Sequence, residues 1–168
     1  MATPTTLPAS FTAGQVLTAA QMNNLRGAFR VLQVVNASTA ALVSNSTNTY
    51  VDTGLSATIT PQSATSKILV LVSQNGLHKS DANAGNRIDI QLLRGATAIL
   101  VVCADACFTN TAMQLAVPSA TSTFLDSPAT TSATTYKTQF KNSSGTAAIS
   151  VQFNNSNPST ITLMEISA

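Results

Sequence analysis

The chain reads as an all-β protein, an antiparallel β-sandwich of the jelly-roll type with a short N-terminal arm and helix, and three observations lead there. The first is composition. Charged residues make up only 8% of the 168 residues, against about 25% in an average domain, while the apolar share is an ordinary 44%. Ser, Thr, Asn and Ala fill the difference, so strong helix formers are scarce and residues suited to strands and turns abound. The second is hydrophobic period. From Arg30 onward apolar residues recur every second position in short runs. The third is punctuation: these runs are separated by Gly, Pro, Asn and Ser turns with no helical segment between them, the pattern of a sandwich rather than of βαβ units.

Residues 1–29 are expected to form an anchor, and residues 30–168 the head. In the arm, Pro4 and Pro8 block regular structure, and Phe11, Val16 and Leu17 stand as isolated apolar anchors. One helix is predicted next. Thr18 can cap it, Gln21 follows three residues later as in a capping box, and Gly27 can end it. Met22 and Leu25 share one face at helical spacing. Two turns are marginal in water without a partner surface, so arm and helix together suggest docking onto something else.

The strands follow in order. Val31–Val35 is the first, and Ala41–Val43 is a weak strand centre. Tyr50–Thr53 and Ala57–Thr60 flank Gly54, and Pro61 stops the second. Lys67–Ser73 is apolar on both faces and belongs inside a sheet, covered on both sides. Asn75–Gly85 reads as a polar loop. In Arg87–Arg94, Ile88, Ile90 and Leu92 oppose Asp89 and Gln91, and Gly95 turns the chain into Ala98–Val102. Phe108–Val117, with Met113 and Leu115 inward, Thr123–Ser127, Tyr136–Lys141, Ile149–Phe153 and Thr160–Ile166 complete eight to ten strands.

Composition also narrows function. The net charge is +2, and the eight Lys and Arg are scattered rather than clustered, which argues against nucleic acid. Ile68–Val72 is the longest apolar run, far short of the ~20 residues that cross a bilayer, so no membrane insertion is expected. Met1–Thr5 lacks the charged and apolar regions of a secretory signal, which predicts assembly in a host cytoplasm.

No catalytic residues, metal ligands or cofactors are expected. The chain has one glutamate, Glu165, and its aspartates occur at no motif spacing. His78 is the only histidine and sits near no strained serine turn. Cys103 and Cys107 would lie ~13 Å apart along a strand, too far for a disulfide, and are expected as two buried or half-buried thiols; a disulfide would require a tight turn through Ala104, Asp105 and Ala106. Recognition on a rigid sandwich belongs to loops. The polar 74–86 loop, with His78, Lys79 and Asp81 and with Arg87 at its end, is the first candidate for a receptor contact, and the Asn154–Pro158 turn the second.

The last strand carries the interface expectation. Ile161 and Leu163 lie on one face of Thr160–Ile166, Met164 and Ile166 on the other. A strand apolar on both faces needs cover on both, and its own core supplies one. A neighbouring copy or the folded-back N-terminal segment supplies the other. Glu165 shares the Ile161 face, so it is expected at the wet end of the contact or paired with a Lys or Arg.

Two stretches carry a family resemblance. Phe11-Thr12-Ala13-Gly14-Gln15-Val16-Leu17-Thr18-Ala19-Ala20-Gln21-Met22-Asn23 is similar to the N-termini of tailed-phage minor tail and fibre proteins. Ser66–Val70, Gln91–Gly95, Leu125–Pro128, Thr134–Tyr136 and the closing Thr160–Ile166 resemble the C-terminal domains of phage tail fibres. The resemblance implies a jelly-roll head, often trimeric, carried on a virion. It therefore implies a homotrimer whose partners are other virion proteins (tail, baseplate or capsid) and a host surface glycan or protein. The sequence departs from long fibres in having no coiled-coil heptads or collagen-like repeat between arm and head. Two functions stay open at this point: a tail-fibre or receptor-binding module, and a capsid decoration protein.

Overall fold

The computed structural model describes residues 31–79, 83–109, 117–145 and 147–167, together with residues 14 and 16. The helix expected over 18–27, Asp81, and the Met113 and Leu115 strand lie outside the described residues.

Among the described residues the chain forms β1 (Val31–Thr39), β2 (Val43–Asn45), β3 (Val51–Ile59), β4 (Lys67–Gln74), β5 (His78–Lys79), β6 (Ile88–Arg94), β7 (Thr97–Ala106), β8 (Ala120–Asp126), β9 (Thr134–Asn142), β10 (Ile149–Val151) and β11 (Ser159–Ile166). One sheet has the order β1-β11-β4-β8, a second β3-β9-β6-β7, and a small third β2-β10-β5. Every pairing is antiparallel. Strands from the two chain ends pair at the edge of the first sheet, and the β6-β7 hairpin forms the edge of the second. This is the double Greek-key order of an eight-stranded jelly roll, with the third sheet as an extension.

The third sheet is the first one continued past a bend. Its order repeats β1-β11-β4 with the next segment of each strand, so three long strands break at one level. Sequence explains two of the breaks. Gly76 adopts φ +62°, and a Cβ there would lie 2.5 Å from the Phe153 backbone nitrogen. Opposite it, Gln152, Asn154 and Asn155 all take positive φ around a single 3₁₀ turn at Phe153–Asn155. The bent halves stay tied: Gln152 N donates to Asn75 O at 3.0 Å and Phe153 N to Gly76 O at 3.2 Å.

The bend divides the core. One cluster holds Leu55, Ile59, Ile68, Val70, Tyr136, Ile161 and Leu163; the other holds Leu77, Ile88, Ile90, Phe140, Ile149 and Val151. Each such side chain contributes about 1.5–3 kcal/mol by leaving water. At the bend runs a buried polar seam. Thr53 and Thr138 share a hydroxyl hydrogen bond at 2.6 Å, the Thr138 hydroxyl donates to Gln74 Oε1 at 2.9 Å, and Gln74 Nε2 donates to Ser159 Oγ at 2.9 Å. Ser159 Oγ also accepts from Asn75 N at 2.9 Å. Every member is satisfied, which is what allows a polar layer to sit between apolar ones.

β4 lies inside its sheet, as its apolar run requires. β7 runs longer than the Ala98–Val102 expectation. It ends where Asp105 and Cys107 take positive φ, and Phe108, Thr109 and Val117 are in no strand.

Candidate functional site

The described carboxylates are committed to structure. Arg94 Nη1 donates to both oxygens of Asp126 at 2.9 Å, and the buried Tyr136 hydroxyl donates to Asp126 Oδ2 at 2.6 Å. Burial, with Asp126 beside it, pushes the Tyr136 hydroxyl well above its ordinary range. Asp52 accepts from Lys137 Nζ at 2.9 Å and Gln139 Nε2 at 2.7 Å. Asp89 accepts from the Ser143 hydroxyl and from Asp105 N. Asp105 pairs with Arg87 at 3.1 Å. Among the described residues no three His, Cys, Asp or Glu side chains come together as a metal site.

Glu165 departs from expectation. It is fully buried and, among the described residues, pairs with no cation: it accepts from Gln33 Nε2 at 2.6 Å and from the Gln62 backbone at 2.7 Å. Burial acts to raise its pKa. The Gln33 side chain, the Ser66 hydroxyl and the backbone of Gln62 and Ser63 outweigh burial and hold the carboxyl below its ordinary value. The sequence signal is limited to a lone acid at an inward strand position; its partners Gln33 and Gln62 come from segments more than 100 residues away.

The candidate receptor loop is also corrected. His78 and Lys79 are not in an exposed loop; they form β5, pair with β10 and are buried. His78 stacks on Phe153 at 3.8 Å between ring centroids, and burial lowers its pKa. Lys79 Nζ donates to Thr109 Oγ1 at 2.8 Å. Polar residues can occupy such a strand because the Thr109 hydroxyl and the Phe153 ring supply partners; alternation alone cannot reveal that. Arg87 is half-exposed, with its guanidinium 5.5 Å from the Phe108 ring centroid. The Asn154–Pro158 turn keeps Asn154, Asn155 and Ser156 exposed. Neither cysteine is in a disulfide, and burial pushes each thiol up to about 11.

Of the anchor residues, Val16 is described and is 87% exposed; Phe11, Leu17, Met22 and Leu25 lie outside the described residues. Of the four expected interface residues, Ile161 and Leu163 face inward and are fully buried in this chain's own core, so they are not free for a partner. Met164 and Ile166 alternate with them and face out, half-buried.

Those two residues belong to a larger surface. The register aligns Val34 with Met164, Met164 with Leu69, and Leu69 with Leu125, an apolar row straight across the sheet. Val34 is 55% and Leu125 51% exposed. The next row is Asn36, Thr162, Leu71 and Thr123, and the one beyond is Ser38, Thr160, Ser73 and Thr121. The hydroxyl-rich end forms a depression of about 490 Å³. Sequence reading found Met164 and Ile166 but missed Val34, Leu69 and Leu125, because only the register places them side by side.

No protein-family model matches the chain, and no curated protein matches it in sequence. Among solved structures it is similar to the VP2 subviral particle of infectious bursal disease virus, at 14% identity and a TM-score of 0.46 over 82% of this chain and 38% of that one. It is also similar to the structure of the Gx strain of that virus, at 15% identity and a TM-score of 0.34 over 82% of this chain and 37% of that one. The chain thus spans less than two-fifths of the chains it matches. The jelly-roll assignment rests on the strand order.

Proposed function

We propose that this chain is a non-enzymatic structural component of a tailed-phage particle, a homotrimeric tail-fibre or receptor-binding module held by residues 1–29. The observation that carries the reading is the combination of a nearly charge-free jelly roll with an apolar row on its outer face. Its described acids are spent on hydrogen bonds and ion pairs rather than gathered at a cleft. Such a molecule offers surface, not chemistry. The resemblance of Phe11–Asn23 to tail-protein N-termini supports the tail, and among the described residues the Asn154–Pro158 turn offers an exposed loop for a host contact, whereas His78 and Lys79 are buried.

A second reading, a trimeric decoration protein on the capsid, draws on one feature. β1 begins at Val31, directly after the expected arm and helix, so no shaft separates that expected segment from the sandwich. Deleting residues 1–27 tests the common part: the sandwich should still fold, by far-ultraviolet circular dichroism, while failing to join particles. Loss of the folded sandwich would show that the segment belongs to the core. Gold-labelled antibody against residues 31–167, imaged on intact particles, then separates tail from capsid. Absence of label from both rejects the virion reading.

A further inference from the structure

We propose that the outer face of β1-β11-β4-β8 is the contact between copies of this chain, centred on the row Val34, Met164, Leu69 and Leu125. This rests on the homotrimer proposed above and deepens it by naming the surface.

The two outer faces of the sandwich differ in kind. On the second sheet, Lys137 and Gln139 donate to Asp52, and Gln91 Nε2 donates to Gln139 Oε1 at 3.0 Å. That ladder of charged and amide groups satisfies itself and sits well in water. On the first sheet the corresponding centre is four apolar side chains in register, flanked by Ile166 at one end and Leu71 at the other. Exposed apolar surface costs about 25 cal/mol per Å², and a contiguous patch rimmed by hydroxyls is the form an association surface takes.

A second copy fits this face better than the chain's own arm. Val16, the apolar arm residue that the structure describes, is 87% exposed and so does not lie on it. Charge points the same way: on the four strands the outward positions carry a single ionic group, Lys67, so copies meet without appreciable repulsion. The face supplies a substantial share of a standard interface. Four strands about 4.8 Å apart and seven residues of about 3.3 Å each span roughly 19 by 23 Å. That is roughly 440 Å² in projection, more than half of the about 800 Å² that one partner gives to a standard interface. Closed rotational symmetry covers the face equally in every copy.

The test is light scattering on the full chain and on Met164→Asp, Leu69→Asp and Val101→Asp, each checked for folding by circular dichroism. Val101, 63% exposed on β7, serves as an apolar control on the other sheet. The expected result is a trimer for the wild type and for Val101→Asp, and folded monomers for Met164→Asp and Leu69→Asp. If those two remain trimeric, the face is overturned while the homotrimer stands. A wild-type monomer at micromolar concentration overturns both. Should the aspartate variants precipitate, peroxide oxidation of Met164 in the wild-type trimer decides: a rate about tenfold or more below that of a free methionyl peptide supports the contact, and a rate close to it overturns it.

Discussion

Replacing Glu165 with glutamine keeps the shape of a buried side chain and removes its charge. The native carboxylate accepts from Gln33 Nε2 at 2.6 Å and from Gln62 N at 2.7 Å, and it is fully buried. A glutamine oxygen can serve one of these donors, but its NH₂ must then face the other. An unsatisfied buried donor costs about 1–3 kcal/mol, and losing the charge weakens the surviving bond by about another 1 kcal/mol. The expected destabilisation is therefore about 2–4 kcal/mol at pH 7. At about 2–4 °C per kcal/mol for a domain of this size, the Tm should fall by roughly 5–15 °C.

The pH dependence provides a second, independent readout. Folding depresses the Glu165 pKa from its ordinary 4.5, so the unfolded chain binds the proton more tightly. The stabilisation is complete above the unfolded value and is lost as pH falls through the folded one. Thermal unfolding of both proteins from pH 7 down to about pH 3, at one fixed protein concentration, should show the gap between them closing in acid. Equal stability at pH 7, or a gap that persists unchanged in acid, would refute the assignment of Glu165 as a charged hydrogen-bond acceptor.

Three other outcomes follow from the same geometry. Gly76→Ala combines a left-handed backbone with a Cβ placed 2.5 Å from Phe153 N, and should cost about 2–4 kcal/mol in urea denaturation; a loss under about 0.5 kcal/mol would mean that the bend relaxes freely. Ser159→Ala removes a hydroxyl that serves Gln74 Nε2 and Asn75 N, and should cost about 1–3 kcal/mol without altering the far-ultraviolet spectrum; a neutral effect would show the seam to be dispensable. Cys103 and Cys107, with thiols pushed up to about 11, should react slowly with a disulfide reagent at pH 8 until denaturant is added; immediate reaction of the folded protein would contradict their burial.

What the sequence determined by itself is the local register of in and out. Period-two alternation located most strands, because one buried face forces it: Ile88, Ile90 and Leu92 are all fully buried, as are Tyr136 and Phe140. The Gly95 turn was legible too, since β6 and β7 are joined by a tight hairpin that Gly95, at φ +59°, allows. Lys67–Ser73 announced a strand with neighbours on both sides. These are signals that a few adjacent residues carry.

Three decisions belonged to the tertiary structure. Sheet membership was one: β6-β7 is a hairpin, but most other connections cross between sheets, so β1 finds its partner β11 at the far end of the chain. Buried polar groups were another. Glu165, Lys79 and His78 look solvated because their side chains are polar, yet each is buried beside partners such as Gln33, Thr109 and Phe153, which are far away in sequence. The last was the outer apolar row. Val34, Leu69, Leu125 and Met164 come from four separate strands, and each is by itself an ordinary exposed or half-buried apolar residue. Only antiparallel registration at about 4.8 Å between strands brings them together as one surface.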